Sequence, residues 1–272
     1  MITQSVPTTN PVFLTAEWRK LLMANYKIDS AILKQFLPAH TELDFYNDNC
    51  YVSLVGFEFD KVKLKGVSIP LHTRFPEVNL RFYVKRKDGN AWKRGVVFIS
   101  EIVPKPTIAW IANAFYKEKY EVALMRRELS QTENEISIAY KWKKKNMWNK
   151  ISVVAENHPV LIKDNTEEAF IYEHYFGYAK SGQDKTNEYE VQHFSWDAYP
   201  VKQYSIDCDF AQQYGGGFSF LNHGEPVSVF LAEGSAVTIL KKRQFGPVAS
   251  VPSLPSSGRP RFHGQHGPLS VI

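Results

Sequence analysis

The sequence predicts a mainly antiparallel α+β fold, a closed barrel of long strands with a few short helices. Three observations carry this. Strand-like segments far outnumber helical ones and are separated by turn signals. Two of them, "CYVSLVGFEFDKV" (50–62) and "VVFISEIV" (96–103), are apolar at both parities, as strands buried on both faces are. Only two or three segments have helical periodicity, and none sits between strands as a repeated crossover.

The elements follow in order. Residues 1–12 form a loose arm, and "EWRKLLMANYKI" leads into "DSAILKQFLPAH". There Asp29 or Ser30 caps a short helix with Ile32, Leu33, Phe36 and Leu37 on its buried side, stopped by Pro38. The strand 50–62 follows, then "FPEVNLRFYV" (75–84), a hairpin turn at Asp88-Gly89, and the strand 96–103. "PTIAWIANAFY" (106–116) is the best helix, with Pro106 in its first turn and Ile108, Ile111, Ala112, Phe115 and Tyr116 as one apolar stripe. Strand character then returns in "ENEISIAYKW", "NKISVVAE", "EEAFIYEHYFGYAK", "EYEVQHFSWDAYPV" and "PVSVFLAEGSAVTIL". The barrel domain is assigned to 13–242. The Pro-, Ser- and Gly-rich stretch 243–272 is assigned as a disordered tail.

With 44% hydrophobic and 14% aromatic residues, the 272-residue chain can fill a large core. It has no run of ~18 to 20 apolar residues, so no membrane span is expected. "MITQSVPTTN" lacks the basic head and apolar stretch of a signal peptide, and the expected location is the cytoplasm. Cys50 and Cys208 have no CxxC spacing and are expected as free thiols, a disulfide between them being the alternative. "YKWKKKNMWNK" (140–150) combines five lysines with two tryptophans. It fits a solvated hairpin tip better than a single-strand nucleic-acid grip, which stays a remote alternative.

No HxH, HExxH or Cys/His spacing points to a metal, and no cofactor is expected. "YGGGFSF" (214–220) lacks the strand and helix that a phosphate cradle needs and is expected as a loop. Ser235 is not in a GxSxG setting, and Cys208 lies between two aspartates that disfavour its thiolate. Tyr172, His174, Phe176 and Tyr178 share one parity and form either core or the lining of a pocket. The acids inside apolar strands say more. "FPEVNLRFYV" sets Glu77, Asn79 and Arg81 on one face and Pro76, Val78, Leu80, Phe82 and Val84 on the other, and Glu101 interrupts "VVFISEIV". Either that polar face meets water or it is a wall inside a barrel, where buried charge needs partners from other strands.

The stretches "FLTAEWRKLLMANYKID", "LPAHTELDFYNDNCYVSLVGF", "FPEVNLRFYV", "GVVFISEIVP", "EHYFGY" and "FLAEGSAVT" resemble the YqjF-like family of bacterial proteins over roughly 13–242. That resemblance implies the acetoacetate-decarboxylase-like fold, a closed cone-like barrel with small helices and a central cavity, with the polar face of 75–84 turned inward. The more distant likeness to acetoacetate decarboxylase rests on Tyr26, Lys27, Asp29, Leu33, Pro38, Glu42 and Asp44. It implies a substrate-binding arginine at Arg19 and a glutamate facing the reactive amine at Glu77. The decarboxylase's adjacent lysine pair falls on "FYKEKY", where Glu118 separates Lys117 from Lys119. An opposite charge there favours the ammonium, whereas a Schiff-base amine must be neutral.

Two functional readings follow. In the first, the cavity binds a small anionic, keto-acid-like molecule through Arg19, Asn79, Arg81 and Glu101. In the second, Lys119 or Lys117 forms an iminium with a β-keto acid and Glu77 carries protons, as in a decarboxylase or aldolase. The interrupted pair favours both lysines lying outside the cavity. Oligomeric state is left open, a homo-oligomer included.

Overall fold

A computed structural model describes residues 10–246; the expectations for 1–9 and 247–272 lie outside the described residues. Seven strands run in the order Ser228–Leu240, Val12–Ile28, Cys50–Leu64, Phe75–Asp88, Ala91–Val103, Phe176–Lys180, Thr186–His193. The last pairs back onto the first through Val191↔Ile239 to His193↔Val237, so the sheet closes into a ring. Its pairs are antiparallel apart from Phe176–Lys180 on Ala91–Val103 and the short strand Tyr120–Val122 on the same strand.

The strands Met125–Gln131, Glu135–Lys144, Met147–Glu156 and Val201–Asp207 make a separate antiparallel sheet rather than further staves of the ring. Its apolar face (Ile136, Ile138, Tyr140, Trp142, Ile151, Val153) packs with Leu22, Leu54, Val78, Leu80 and Phe82, the outward side of the ring strands. Leu21, Met23, Val55, Phe57, Phe59 and Tyr83 form the inner cluster with Tyr172, Tyr189 and Trp196. This explains why 50–62 and 96–103 are apolar on both faces: one side meets the interior of the ring, the other meets a second sheet.

Several elements differ from the sequence reading. Residues 167–180 are not one strand: Glu167–Tyr172 is a helix, and only Phe176–Lys180 is strand. Thr166 caps that helix by accepting from the Ala169 amide, and Glu167 and Glu168 complement its N-terminal dipole. Gly216–Asn222 is a turn of 3-10 helix, not a plain loop. Arg243–Phe245, assigned to the tail, pairs with Thr186–Glu188 and belongs to the sheet, because it covers an otherwise open strand edge. The first helix is shorter than the apolar pattern, Ser30–Lys34, with Asp29 as its cap. In helix Pro106–Tyr116, Phe115 is half exposed rather than part of a buried stripe. Cys50 and Cys208 are free thiols. No helix is long and apolar enough to cross a membrane.

The basic stretch 140–150 is the hairpin between Glu135–Lys144 and Met147–Glu156. Trp142 is fully buried and donates its indole N–H to Gln213, and Lys141 and Lys144 pair with Glu128 and Glu121. That leaves Trp148, under Arg126, as the accessible ring, too little for a stacking platform.

The longest strand, Val12–Ile28, changes face midway. Its register on Cys50–Leu64 slips between Arg19↔Glu58 and Leu22↔Gly56, around Lys20 in the left-handed region (φ 54°). Gly234, opposite Arg19, has φ 85°, and a Cβ there would lie 2.0 Å from the Trp18 carbonyl oxygen. Gly234→Ala is therefore expected to cost roughly 2–4 kcal/mol, since both the positive φ and the backbone clash must be relieved. Chemical denaturation checks this; a loss below ~0.5 kcal/mol would show that the bulge does not depend on glycine.

Candidate functional site

The ring encloses a cavity of about 70 Å³, more than a single water needs. Its polar wall is the alternate face of Phe75–Asp88. Glu77, Asn79 and Arg81 are 2%, 2% and 9% exposed, and all three line the cavity with Glu101 from the neighbouring strand. Asn79 Nδ2 donates to Glu77 Oε1 at 3.0 Å, and the Tyr120 hydroxyl donates to Glu77 Oε2 at 3.0 Å. Tyr172, His174, Phe176, Tyr189, His193 and Trp196 complete the wall. His193 stacks on Trp196 at 4.3 Å, and His174 Nε2 lies 3.2 Å from Asp44 Oδ2. Tyr178 is core and not lining, although Phe176, two residues earlier on the same strand, reaches the cavity.

Unpartnered polar atoms concentrate here. Among the described residues nine buried side-chain polar atoms have no hydrogen bond: Glu118 Oε1, Arg127 Nε and Tyr214 OH lie elsewhere, and six are Trp18 Nε1, Asn79 Oδ1, Arg81 Nε, Glu101 Oε2, Tyr172 OH and His174 Nδ1. All six belong to residues lining this cavity. Native interiors leave few such atoms, so the convergence of six of them on one cavity makes it the candidate site.

The segment after helix Pro106–Tyr116 explains the lysines. Lys117 takes the left-handed position that ends the helix (φ 62°) and is exposed. Lys119 is also exposed, its ammonium 4.9 Å from the centre of the Phe36 ring. Tyr120 begins a short strand that pairs parallel with Glu101, and the Glu101 amide donates to the Lys119 carbonyl at 3.0 Å. Alternation then turns Glu118 and Tyr120 inward and Lys119 outward. The spacing "YKEKY" carried this signal: tyrosine and glutamate share one parity, the lysines the other.

Arg19 does not join Glu77. It lies on the outward face before the bulge, bonds Glu17 at 2.7 Å and lies 3.8 Å from Glu233. The left-handed Lys20 resets the parity, so Leu21 and Met23, not Arg19, enter the ring. Glu77 finds its partner from another strand in Tyr120 instead.

A second, largely apolar cavity of about 100 Å³ lies beneath helix Pro106–Tyr116. It shares Phe59, Tyr120, Tyr189 and Ile239 with the polar cavity, and Glu118 faces it.

The electrostatics follow from burial. Removal from water pushes the Glu77 carboxyl up to about 7 against the pull of Asn79, Tyr120 and Arg81. Glu118 rises to about 8, by burial and by repulsion from Glu77, and Glu101 rises well above the carboxylate range for the same reasons. His174 is driven down to about 4 by burial, which outweighs its Asp44 contact, and burial also lowers His193. Lys119 is lowered by partial burial and by Lys180; Glu118 acts in the opposite direction, as its charge requires, but does not prevail. At neutral pH the cavity thus holds neutral imidazoles, Glu101 mainly protonated, Glu77 about half protonated, and one permanent cation, Arg81.

Residues 15–236 match the family DUF2071, described as an uncharacterized conserved protein. The chain belongs to that family. It is 32% identical over 130 residues to the "Uncharacterized protein YqjF" of Bacillus subtilis (strain 168), a match covering 47% of this chain and 50% of that protein. The aligned part is thus half of the relative's length. Among solved structures it is similar to the acetoacetate decarboxylase of Legionella pneumophila (TM-score 0.59, 12% identity, 90% of this chain and 92% of that one). It is also similar to the enduracididine biosynthesis enzyme MppR (TM-score 0.62, 10% identity, 89% and 91%). At such identities the likeness is one of fold. The DUF2071 chain has the acetoacetate-decarboxylase-like fold, with Glu118 turned inward between two outward lysines.

A raised carboxyl pKa has a fixed consequence for stability. Glu77 favours folding fully below its ordinary value of 4.5, and that contribution is lost as pH climbs to about 7. The loss is about 3 kcal/mol at 1.36 kcal/mol per unit. Denaturation of wild type and Glu77→Gln between pH 4.5 and 8 is expected to show a decline smaller by about that amount in the variant. Parallel curves would mean that Glu77 is not a buried, protonated acid.

Proposed function

We propose that the cavity binds a small organic anion of the keto-acid kind, with Arg81 taking its carboxylate. One observation carries this reading. Arg81 is buried, and among the described residues it has no ion pair: its contacts are Met23 Sδ at 3.6 Å and the Tyr83 ring at 5.7 Å. An isolated buried cation is costly, and a planar carboxylate is the group a guanidinium fork accepts best. The nearby acids supply at most part of that charge: at neutral pH burial leaves Glu77 about half protonated and Glu101 mainly protonated. In the protonated state Glu77 and Glu101 can donate hydrogen bonds to a keto oxygen, with Asn79 beside them. MppR, a structural neighbour, is known complexed with pyruvate, which makes pyruvate a sensible first probe.

A lysine Schiff-base lyase is the weaker reading. An iminium needs a neutral amine against the substrate carbonyl, and Lys117 and Lys119 lie outside both cavities. Glu77, with its proton held to about 7, remains suited to proton transfer if the ligand is turned over.

Titration calorimetry with pyruvate at pH 6.5 is expected to show binding that Arg81→Met weakens ten- to a hundredfold, in line with ~1.5–3 kcal/mol for a charged hydrogen bond. The same variant should be as stable as wild type or more so, since it removes an unpaired buried charge. Equal affinity in the two proteins would refute the assignment.

Affinity should also fall as pH rises through about 7 to 8, where Glu77 and Glu118 ionise and repel an anion. Borohydride reduction with pyruvate or acetoacetate should leave Lys117 and Lys119 unmodified by mass spectrometry. A reduced adduct on either would reinstate the lyase.

A further inference from the structure

Resting on that reading, we infer that the ligand is amphiphilic: an organic anion with its head at Arg81 and an apolar chain running past Tyr120 and Tyr189 into the chamber under helix Pro106–Tyr116.

The two cavities share a wall and differ in chemistry. Among their described lining residues, the inner one holds the one permanent charge, Arg81, and six unpartnered polar atoms, against one, Glu118 Oε1, in the outer. The outer one, slightly larger, is bounded by Phe13, Leu14, Val62, Ile108 and Ile111. Two side chains there can carry charge. His72 is engaged through Nδ1 with the Pro70 carbonyl at 2.8 Å, and Glu118 is kept protonated near neutrality by burial. Apart from the Glu118 carboxyl, whose Oε1 has no hydrogen bond, the outer chamber therefore offers a ligand mainly apolar surface. A three-carbon keto acid held at Arg81 would leave the Glu77 end of the inner space and the whole outer chamber empty.

Position along the strand sets the reach. Glu77 and Arg81 are four residues apart, ~13 Å at the rise of a strand. Tyr120 bonds Glu77, so the shared wall stands at the Glu77 end and the cation at the other. A chain that starts at Arg81 must extend most of that distance before it meets the apolar chamber. The affinity gain should thus persist well beyond six carbons instead of saturating early.

The roof explains why the chamber is apolar. Ile108, Ile111 and Ala112 of the helix face it, while Trp110 of the same helix is 68% exposed. The amphipathic stripe legible in "PTIAWIANAFY" thus covers a cavity instead of packing against a filled core.

The test is a calorimetric series of unbranched 2-oxo acids from three to ten carbons with wild type, Arg81→Met and Ala112→Trp, with decan-1-ol as the uncharged control. Each buried methylene is worth about fourfold in affinity. The ten-carbon acid is therefore expected to bind wild type at least a hundredfold more tightly than pyruvate. Arg81→Met should weaken every acid, and Ala112→Trp, which fills the chamber, should collapse the ratio between long and short chains. Ile111→Trp serves the same purpose if Ala112→Trp does not fold.

If pyruvate binds through Arg81 but the ten-carbon acid binds no better, this inference is overturned and the small-anion reading stands. If no acid binds, both fall. If decan-1-ol binds as tightly as the ten-carbon acid, or the chain-length gain survives while Arg81→Met changes nothing, the anionic head at Arg81 is wrong.

Discussion

The structure depends on one constraint: residues 77–84 of the strand Phe75–Asp88 are dry on both faces. Its even positions pack on the second sheet, and its odd positions face the inside of a closed ring. A polar set that would cost nothing on an open sheet must then satisfy itself with what the ring supplies. Asn79 and Tyr120 do this for Glu77, leaving Asn79 Oδ1, Arg81 Nε and Glu101 Oε2 without partners. Closure of the ring by pairing Thr186–His193 with Ser228–Leu240 is what turns a surface motif into a cavity wall.

The same dryness decides the charge state. Burial outweighs hydrogen bonding at Glu77, Glu101 and Glu118 and outweighs the Asp44 contact at His174, so every group that can become neutral is pushed that way. Arg81 cannot become neutral. A lone cation among neutral donors is a selective arrangement: it favours one negative charge and can hydrogen-bond an adjacent carbonyl.

The bulge at Lys20 shows how one backbone feature redistributes function. Trp18 lies inside the ring, Glu17 and Arg19 outside, and after the left-handed residue Leu21 and Met23 take the inner face. Lys20 itself is buried against Tyr199 and Glu233, at 2.7 and 2.5 Å. Arg19 therefore joins an outward ion-pair cluster. Gly234 is the residue that lets the neighbouring strand approach closely enough for this to happen.

Local periodicity determined much on its own. The alternation in 75–84, the two-sided burial of 50–62 and 96–103, and the helix at 106–116 follow from side-chain spacing, which needs no knowledge of what lies opposite. The inward turn of Glu118 was legible in the parity of "YKEKY" by the same rule. Other features were not local. Residues 167–172 carry apolar and aromatic side chains suited to a strand, and the cap at Thr166 together with packing in the inner cluster made them a helix. The face taken by Arg19 depended on a bulge whose cause is a glycine more than two hundred residues away, Gly234. Whether Glu77, Asn79 and Arg81 met water or each other depended on ring closure and on the second sheet, because burial belongs to the assembled layers and not to the strand that carries the residues.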